Sequence, residues 1–478
     1  MRYAIVGGGP SGLALACLLS DQGHAVRVYE KGPSLGGSWN GSFDTRGLFR
    51  ENSPRVLMGR AHGFLDYLGL GGDDFRRVYG LLPGLGVVGV LARGLSAMDW
   101  ARVIAAAASG VPEDATVARW MDANSISEGG RRALRVLCIA ICDVPERTNA
   151  GEVLRTAATQ SFQRARQFRD PNKWWRAAAA RVACRPGCSV AVDAGVEAVY
   201  GSWDGSRAHG VVVDGRREPA DRVVLCTQST GLKAVVAGTP FENNWPIMSG
   251  PGDWARETSY GCFGFQLHFT APVNGPRGGW CWTCTGAWTV ISLPASDWLT
   301  DPSRDPSVRE VWSCCVVDTQ APVERGGGRY SADDLRDPRA VVRECLAQMR
   351  EAAPPSVAIE PAAVSLSPGL HHDGTRWVSA RTGFTAGARG RLPFKGRAEN
   401  LFAVGCFSES PAPTASQFGV AVGAALRFCD AHGESAGAEK ASFEARATIP
   451  AAAKTLAGLA ALALVTYWAN LYYNRESD

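Results

Sequence analysis

Hydrophobic positions at the start of the chain come in short unbroken runs separated by a stretch of helical spacing. Tyr3-Ala4-Ile5-Val6 is apolar throughout, the pattern of a parallel strand buried on both faces. Leu13, Ala16, Cys17 and Leu19 then recur at helical spacing up to Gln22, and Gly23 suits the left-handed residue that ends a helix. Ala25-Val26-Arg27-Val28-Tyr29 is the next strand and stops at Glu30. Further strands are expected at Gly210-Val211-Val212-Val213, before a turn at Asp214-Gly215, in the run up to Thr227, and over Asn400–Gly405. Helical spacing over Ala101–Ala108 and Gly129–Cys142 predicts helices, with Cys138 and Cys142 on one face. Between them and the last strand lies a mixed region rich in tryptophan: Trp280, Trp282, Trp288, Trp298 and Trp312.

Strand, helix, strand in that order predicts an α/β fold with a parallel sheet. The length of 478 residues allows about three domains or two large ones. With 46% hydrophobic and 20% charged residues the chain is not a disordered one. Its net charge of +4 is too balanced to argue for a nucleic-acid partner. The 14 cysteines match no small disulfide framework, so a reducing compartment is expected. Cys281-Trp-Thr-Cys284 has the spacing of half a zinc site, but no second half pairs with it, and buried thiols are expected there. The chain opens on Met1-Arg2 and enters the first strand directly, so no secretory leader is expected. Asn40-Gly41-Ser42 matches a glycosylation acceptor but falls inside a cofactor loop, where glycosylation is not expected.

The turn between the first strand and helix is Gly7-Gly8-Gly9-Pro10-Ser11-Gly12. Gly7 permits a tight turn, Gly9 lets the backbone approach a pyrophosphate, and Gly12 lets helix and strand touch. The helix N-terminus at Pro10 and Ser11 then offers amides and a positive dipole end to phosphate. Glu30 can accept hydrogen bonds from a ribose diol. A second glycine match, Gly84-Leu-Gly86-Val-Val-Gly89, follows no clear strand and has no acid in range, so an apolar connection is expected.

Glu30-Lys31-Gly32-Pro33-Ser34-Leu35-Gly36-Gly37-Ser38-Trp39 resembles the signature of FAD-dependent oxidoreductases, in which the two glycines lie against the dinucleotide. Ser38 stands where many members carry a pyrophosphate-binding arginine, and Arg55 is a candidate replacement, the alternative being a surface arginine. Ser189–Val199 resembles the segment whose valine backbone holds the adenine edge, here Val196, and Ala220–Thr227 resembles the strand that follows it. Asn400–Gly405 and Gln417–Ala425 resemble the strand and flavin-facing helix of amine oxidase-like flavoproteins, with Cys406 in place of the usual aspartate. These segments are similar to those of the FAD-dependent superfamily of amine oxidases, phytoene desaturases and protoporphyrinogen oxidases. The resemblance implies a discontinuous FAD domain over 1–60, 185–245 and 395–430, and an inserted α+β substrate domain over 61–184 and 246–394. It implies FAD contacts from Gly7, Gly9, Pro10, Ser11, Gly12, Glu30, Lys31, Gly36, Gly37, Trp39, Val196, Thr227, Gly405, Cys406, Gln417 and Phe418.

The same resemblance leads to an oxidoreductase that takes hydride from a small organic substrate. Two members' features are absent: Ala415 stands at an aromatic-cage position, and the strand Tyr260–Phe269 carries Gln266 and His268 but no lysine. A lipid or isoprenoid desaturase and a catalytically inert flavin-binding scaffold are therefore the alternatives. Lys395 is the candidate catalytic base, with a solvated lysine as the other reading. Trp377 and Phe394 are candidates for the substrate wall, and His371-His372 are expected at the surface. Residues 431–454 read as a linker, and 455–473, uncharged, would make a helix of about 28 Å. That segment is the candidate tail anchor, implying membrane association with the catalytic domain facing the cytosol.

Overall fold

The computed structural model describes residues 1–57, 61–77, 94–112, 114–141, 143–151, 153–154, 166–250, 252–273, 283–379, 383–384, 390–409 and 417–432. A five-stranded parallel sheet organises the first half of the molecule. Its strands run in the order Leu401–Ala403, Arg222–Leu225, Arg2–Val6, Ala25–Tyr29 and Ser189–Ala191. Ile5 lies opposite Val28 on one side and Val224 on the other. All three are buried, as expected of a sheet covered on both faces. The helix Pro10–Asp21 joins the two central strands, and Gly23 (φ 79°) turns the chain out of it.

One face of the sheet is covered by the helices Pro10–Asp21, Lys173–Ala183 and Gln417–Ala431, which share a core with Val26, Val28 and Val224. The helix Lys173–Ala183, expected in the inserted domain, sends Trp174, Ala178 and Val182 into the core beneath the parallel sheet. An ion cluster fastens it there. Asp21, at the end of the first helix, accepts from Arg181 (2.6 Å), Arg185 (2.6 Å) and the Tyr67 hydroxyl. The other face carries an antiparallel meander, Val196–Gly201, Ala208–Val213 and Arg216–Pro219, and the helix Ser229–Val236. Asp214 and Gly215 both have positive φ, as a tight hairpin of this hand requires.

The second half is built on an antiparallel sheet in the order Thr283–Thr285, Val290–Pro294, Glu310–Val316, Phe263–Phe269 and Ala363–Leu366. Alternation along its strands sorts the side chains. Phe263, Phe265, Leu267, Trp312 and Cys314 face the helix Pro338–Ala352, burying Val341, Cys345 and Met349 with them. Val311 and Cys315 face the other way, toward a layer made by the helices Ala97–Ser109, Val117–Ala123 and Glu128–Ile141. The two helices expected at 101–108 and 129–142 are thus present, each longer at its N-terminus. Asp99 ties that layer together. Its carboxylate accepts from the Ser96 amide (3.0 Å) and the Ser127 amide (3.1 Å), bridging the starts of two helices.

The expected membrane anchor is not upheld. Among the described residues no helix is long and apolar enough to cross a membrane. The segment 455–473 that carried the expectation lies outside the described residues, as does the linker before it from 433 onward. The C-terminal hydrophobic helix and the membrane-associated location through a tail anchor are therefore not supported.

Candidate functional site

A cavity of about 830 Å³ opens between the parallel sheet and the antiparallel one. Its floor is the turn after the first strand. Gly7 has φ 109°, and a Cβ there would stand 2.7 Å from the Cys226 carbonyl oxygen. A Cβ on Gly12 would meet the Gly7 carbonyl oxygen at 1.9 Å, so the helix can approach the strand only with glycine there. Around Gly9 the space is open: a Cβ would find its nearest neighbour, the Gly37 Cα, at 3.8 Å. Pro10 occupies the start of the helix and no side chain caps its first amides. Gly7, Gly9, Pro10 and Ser11 therefore present a cradle with the positive end of a helix behind it.

Glu30 stands at the tip of the second strand. Its two carboxylate oxygens accept from the Gly8 and Gly32 amides, each at 2.8 Å. A carboxylate has about four lone-pair sites, so about two still face the cavity. Lys31 and Val196 line the same end. At the other end Gly37, Trp39, Thr227, Gly405, Cys406 and Gln417 line the wall. The Cys406 thiol donates to the Gln417 carbonyl (3.2 Å), and the Gln417 side-chain amide donates to the Phe384 carbonyl (3.0 Å). Those bonds hold the start of the last helix at the cavity edge.

Three expected cofactor contacts lie elsewhere. Gly12 and Gly36 are structural, Gly36 (φ 97°) because a Cβ would strike Trp175 at 2.7 Å. Phe418 points away from the cavity into the core, edge-on to Trp174 (4.9 Å) and Trp39 (5.2 Å). Gln417, its neighbour on the same helix, does line the cavity, since one residue along a helix turns a side chain by about 100°. Lys395 is corrected as well. It is exposed, bridges to Phe402 at the edge of the parallel sheet, and is not among the cavity residues. Lying near Gly405 in sequence, it is carried to the outer side of the strand that leads there. Trp377 and Phe394 are core residues, packed on Phe263 (5.0 Å) and Phe428 (5.9 Å). His371 is exposed, His372 Nε2 donates to the Asp333 carbonyl (2.9 Å), and no metal cluster occurs among the described residues. Ala415, Cys281 and Gly84–Gly89 lie outside the described residues.

Several site residues were not anticipated. Trp174 donates to the Trp39 carbonyl (3.1 Å), and Asn172 brackets Gly41 through both its amide and its carbonyl (2.9 and 3.1 Å). This clamp fixes the glycine pair from a segment more than 130 residues away. Asn52, Ser53 and Arg55 form one wall. Arg55 is no surface residue: it is half-buried, lies over the Trp39 ring at 5.6 Å, and has Glu51 behind it. Burial pushes the Glu51 carboxyl above its ordinary value, and the Arg55 guanidinium opposes that shift. Cys262, Ile291, Leu293, Cys315 and Val317 form the adjoining wall, at the antiparallel sheet.

Gln266 and His268, on the strand expected to carry a lysine, do not reach the cavity. Gln266 donates to the Glu51 carbonyl (3.1 Å), and His268 Nε2 bonds the Ser365 hydroxyl (3.0 Å). Burial pushes the His268 imidazole down to about 4, so it is neutral near pH 7. Both residues glue the antiparallel sheet to the chain segment that leads into Asn52–Arg55.

Residues 5–68 match the NAD(P)-binding Rossmann-like domain family. No curated protein matches the sequence. Solved structures do match the fold. An oxidoreductase from Methanosarcina mazei is 16% identical with a TM-score of 0.61, over 89% of this chain and 99% of that chain. A putrescine oxidase triple mutant is 16% identical with a TM-score of 0.60, over 91% and 99%. Cyclohexylamine oxidase from Brevibacterium oxydans is 14% identical with a TM-score of 0.56, over 93% and 99%. At these identities the likeness is one of fold.

Proposed function

We propose, for a chain that has the fold of the amine oxidase-like flavoproteins, that it is an FAD-dependent oxidoreductase oxidising a small organic substrate. The observation that carries this reading is the continuity of one cavity. It runs from the glycine cradle and Glu30 to the mouth of the last helix, and from there to an apolar wall of the antiparallel sheet. The residues present fit a flavin dinucleotide. The open approach at Gly9 suits a pyrophosphate, the Glu30 carboxylate a ribose, and the Val196 end an adenine. Bound FAD would supply the redox chemistry, taking two electrons from the substrate as hydride.

The chain's own residues bind and orient. The uncapped amides after Gly9 and the Glu30 carboxylate hold the two halves of the dinucleotide. The start of the helix Gln417–Ala431, aimed at the cavity, favours negative charge on a group placed against it. Ile291, Leu293, Val317 and Phe384 exclude water from the substrate side. With Lys395 at the surface, Lys31 at the adenine end is the one lysine that lines the cavity among the described residues. That favours a substrate whose oxidation needs no lysine-held water.

The test is reconstitution. Protein loaded with FAD should show flavin absorbance, and Glu30→Ala should weaken the cofactor by about 1–3 kcal/mol, the scale of lost charge-assisted hydrogen bonds. Anaerobic mixing with a panel of amines and isoprenoid lipids then identifies the electron donor by bleaching. Protein that takes up no flavin under these conditions would refute the reading.

A further inference from the structure

The cavity is lined by Cys226, Cys262, Cys315 and Cys406. Two of these form a pair. Cys315 sits on the strand Glu310–Val316, opposite Gly264 of the neighbouring strand. Cys262 lies two residues before Gly264 and hence on the same face of the sheet. Gly264, lacking a side chain, lets the Asn52 carbonyl and the Ser367 hydroxyl come down against the strand there, and the Cys262 thiol also donates to that carbonyl (3.7 Å). The two thiols are hydrogen-bonded to each other, and neither is in a disulfide. Cys262 is one residue outside the ladder and follows Gly261, so its backbone is not held by strand pairing.

The surroundings distinguish this pair from the other buried thiols. The hydrogen bond from Cys315, helped by Ser53 and the Arg55 guanidinium, overcomes burial and holds the Cys262 thiol below its ordinary value. Cys314, the immediate neighbour of Cys315, points to the opposite face beside Cys345, and burial pushes both thiols far up. Cys226 is likewise pushed up by burial alone. The strand Glu310–Val316 thus carries an inert thiol, Cys314, on its core face and the partner of Cys262, Cys315, on its cavity face.

We propose that Cys262 and Cys315 are a redox-active dithiol of the cofactor cavity, closing to a disulfide at the expense of a flavin bound there. Two S–H bonds break and one S–S bond forms. The thiols release two electrons and two protons, and the oxidised flavin takes up both electrons and the protons. The reverse reaction opens the disulfide, so the pair stores and returns two electrons. This rests on the FAD reading above, because the flavin is the oxidant.

The experiment uses the full chain, reduced, freed of thiol reagent, loaded with FAD and kept anaerobic without organic substrate. After acid quench and alkylation, peptide mapping should find a Cys262–Cys315 disulfide whose amount tracks flavin bleaching one to one. Cys314→Ser should retain both signals; Cys262→Ser and Cys315→Ser should abolish both. Flavin that stays oxidised with both cysteines alkylated, or a disulfide mapped to other cysteines, overturns the proposal. The wild-type map decides the matter even where a serine variant fails to fold. Loss of flavin absorbance at loading is a separate result: it sinks the FAD reading and the coupling to it. Diamide treatment of the apoprotein then tests the pair alone, and absence of a Cys262–Cys315 cross-link there overturns its geometry too.

Discussion

Gly9 and Gly12, neighbours in one turn, do opposite work. At Gly12 an added methyl group meets a backbone oxygen at 1.9 Å, which cannot move without displacing the first strand. At Gly9 the same methyl group meets nothing nearer than 3.8 Å, but it projects into the space a pyrophosphate would occupy. Gly12→Ala should therefore destabilise the fold by about 1–3 kcal/mol, the range for overpacking, and lose the cofactor with it. Gly9→Ala should leave the melting temperature nearly unchanged and weaken FAD. Thermal denaturation and flavin absorbance, read on both variants, check the contrast. Equal loss of stability in the two would show that the cradle is not shaped for a ligand. Both glycines were legible in the sequence by type and spacing. So was Gly12's place between helix and strand; that Gly12 touches protein alone was not, because that depends on the distance between helix and strand.

Helices in the inserted layer depend on one carboxylate. Asp99 accepts amide and hydroxyl bonds from Ser96 and Ser127, capping two helices whose N-termini meet at a buried point. Burial opposes ionisation, but these hydrogen bonds outweigh it and hold the carboxyl down at about 2. A carboxyl held below its ordinary 3.8 adds stability above that value, and the gain is lost as pH falls through about 2. Asp99→Asn should cost about 2 kcal/mol at pH 7, and the gap to wild type should narrow between pH 4 and pH 2. Denaturant titrations at pH 7 and pH 3 measure it; a gap independent of pH would mean that charge is not what the caps require. The helices themselves could be read from apolar spacing. Their shared cap could not, since Asp99 and Ser127 belong to different helices.

At the scale of the molecule, among the described residues one sheet is parallel and the other sheets are antiparallel. A nicotinamide dinucleotide needs its own parallel strand, glycine turn and helix. NADPH is therefore expected not to reduce the flavin, electrons entering from the organic substrate instead. Anaerobic mixing with excess NADPH should leave the flavin band intact, and rapid bleaching would turn the reading into a monooxygenase or reductase. The cavity explains why the catalytic assignment could not come from local pattern. Arg55, Cys262, Cys315 and Gln417 come from four distant segments, and a strand edge decides that Lys395 faces out while Cys406 faces in.

Periodicity, and residue type at fixed spacing, were enough to place the parallel strands around Gly7–Gly12, the acid at Glu30 and the hairpin at Asp214-Gly215. These are local matters of pleat, turn and dipole, and a short window of sequence contains all of their causes. Which side chains share a space was settled by packing alone. Trp174 clamps the glycine pair across more than 130 residues, and Phe418 turns to the core while its neighbour Gln417 meets the cavity. Gln266 and His268 are spent on fastening one sheet to another. Such contacts arise from packing two domains around one cavity, and the free energy that selects them is burial summed over distant segments, which no window along the chain contains.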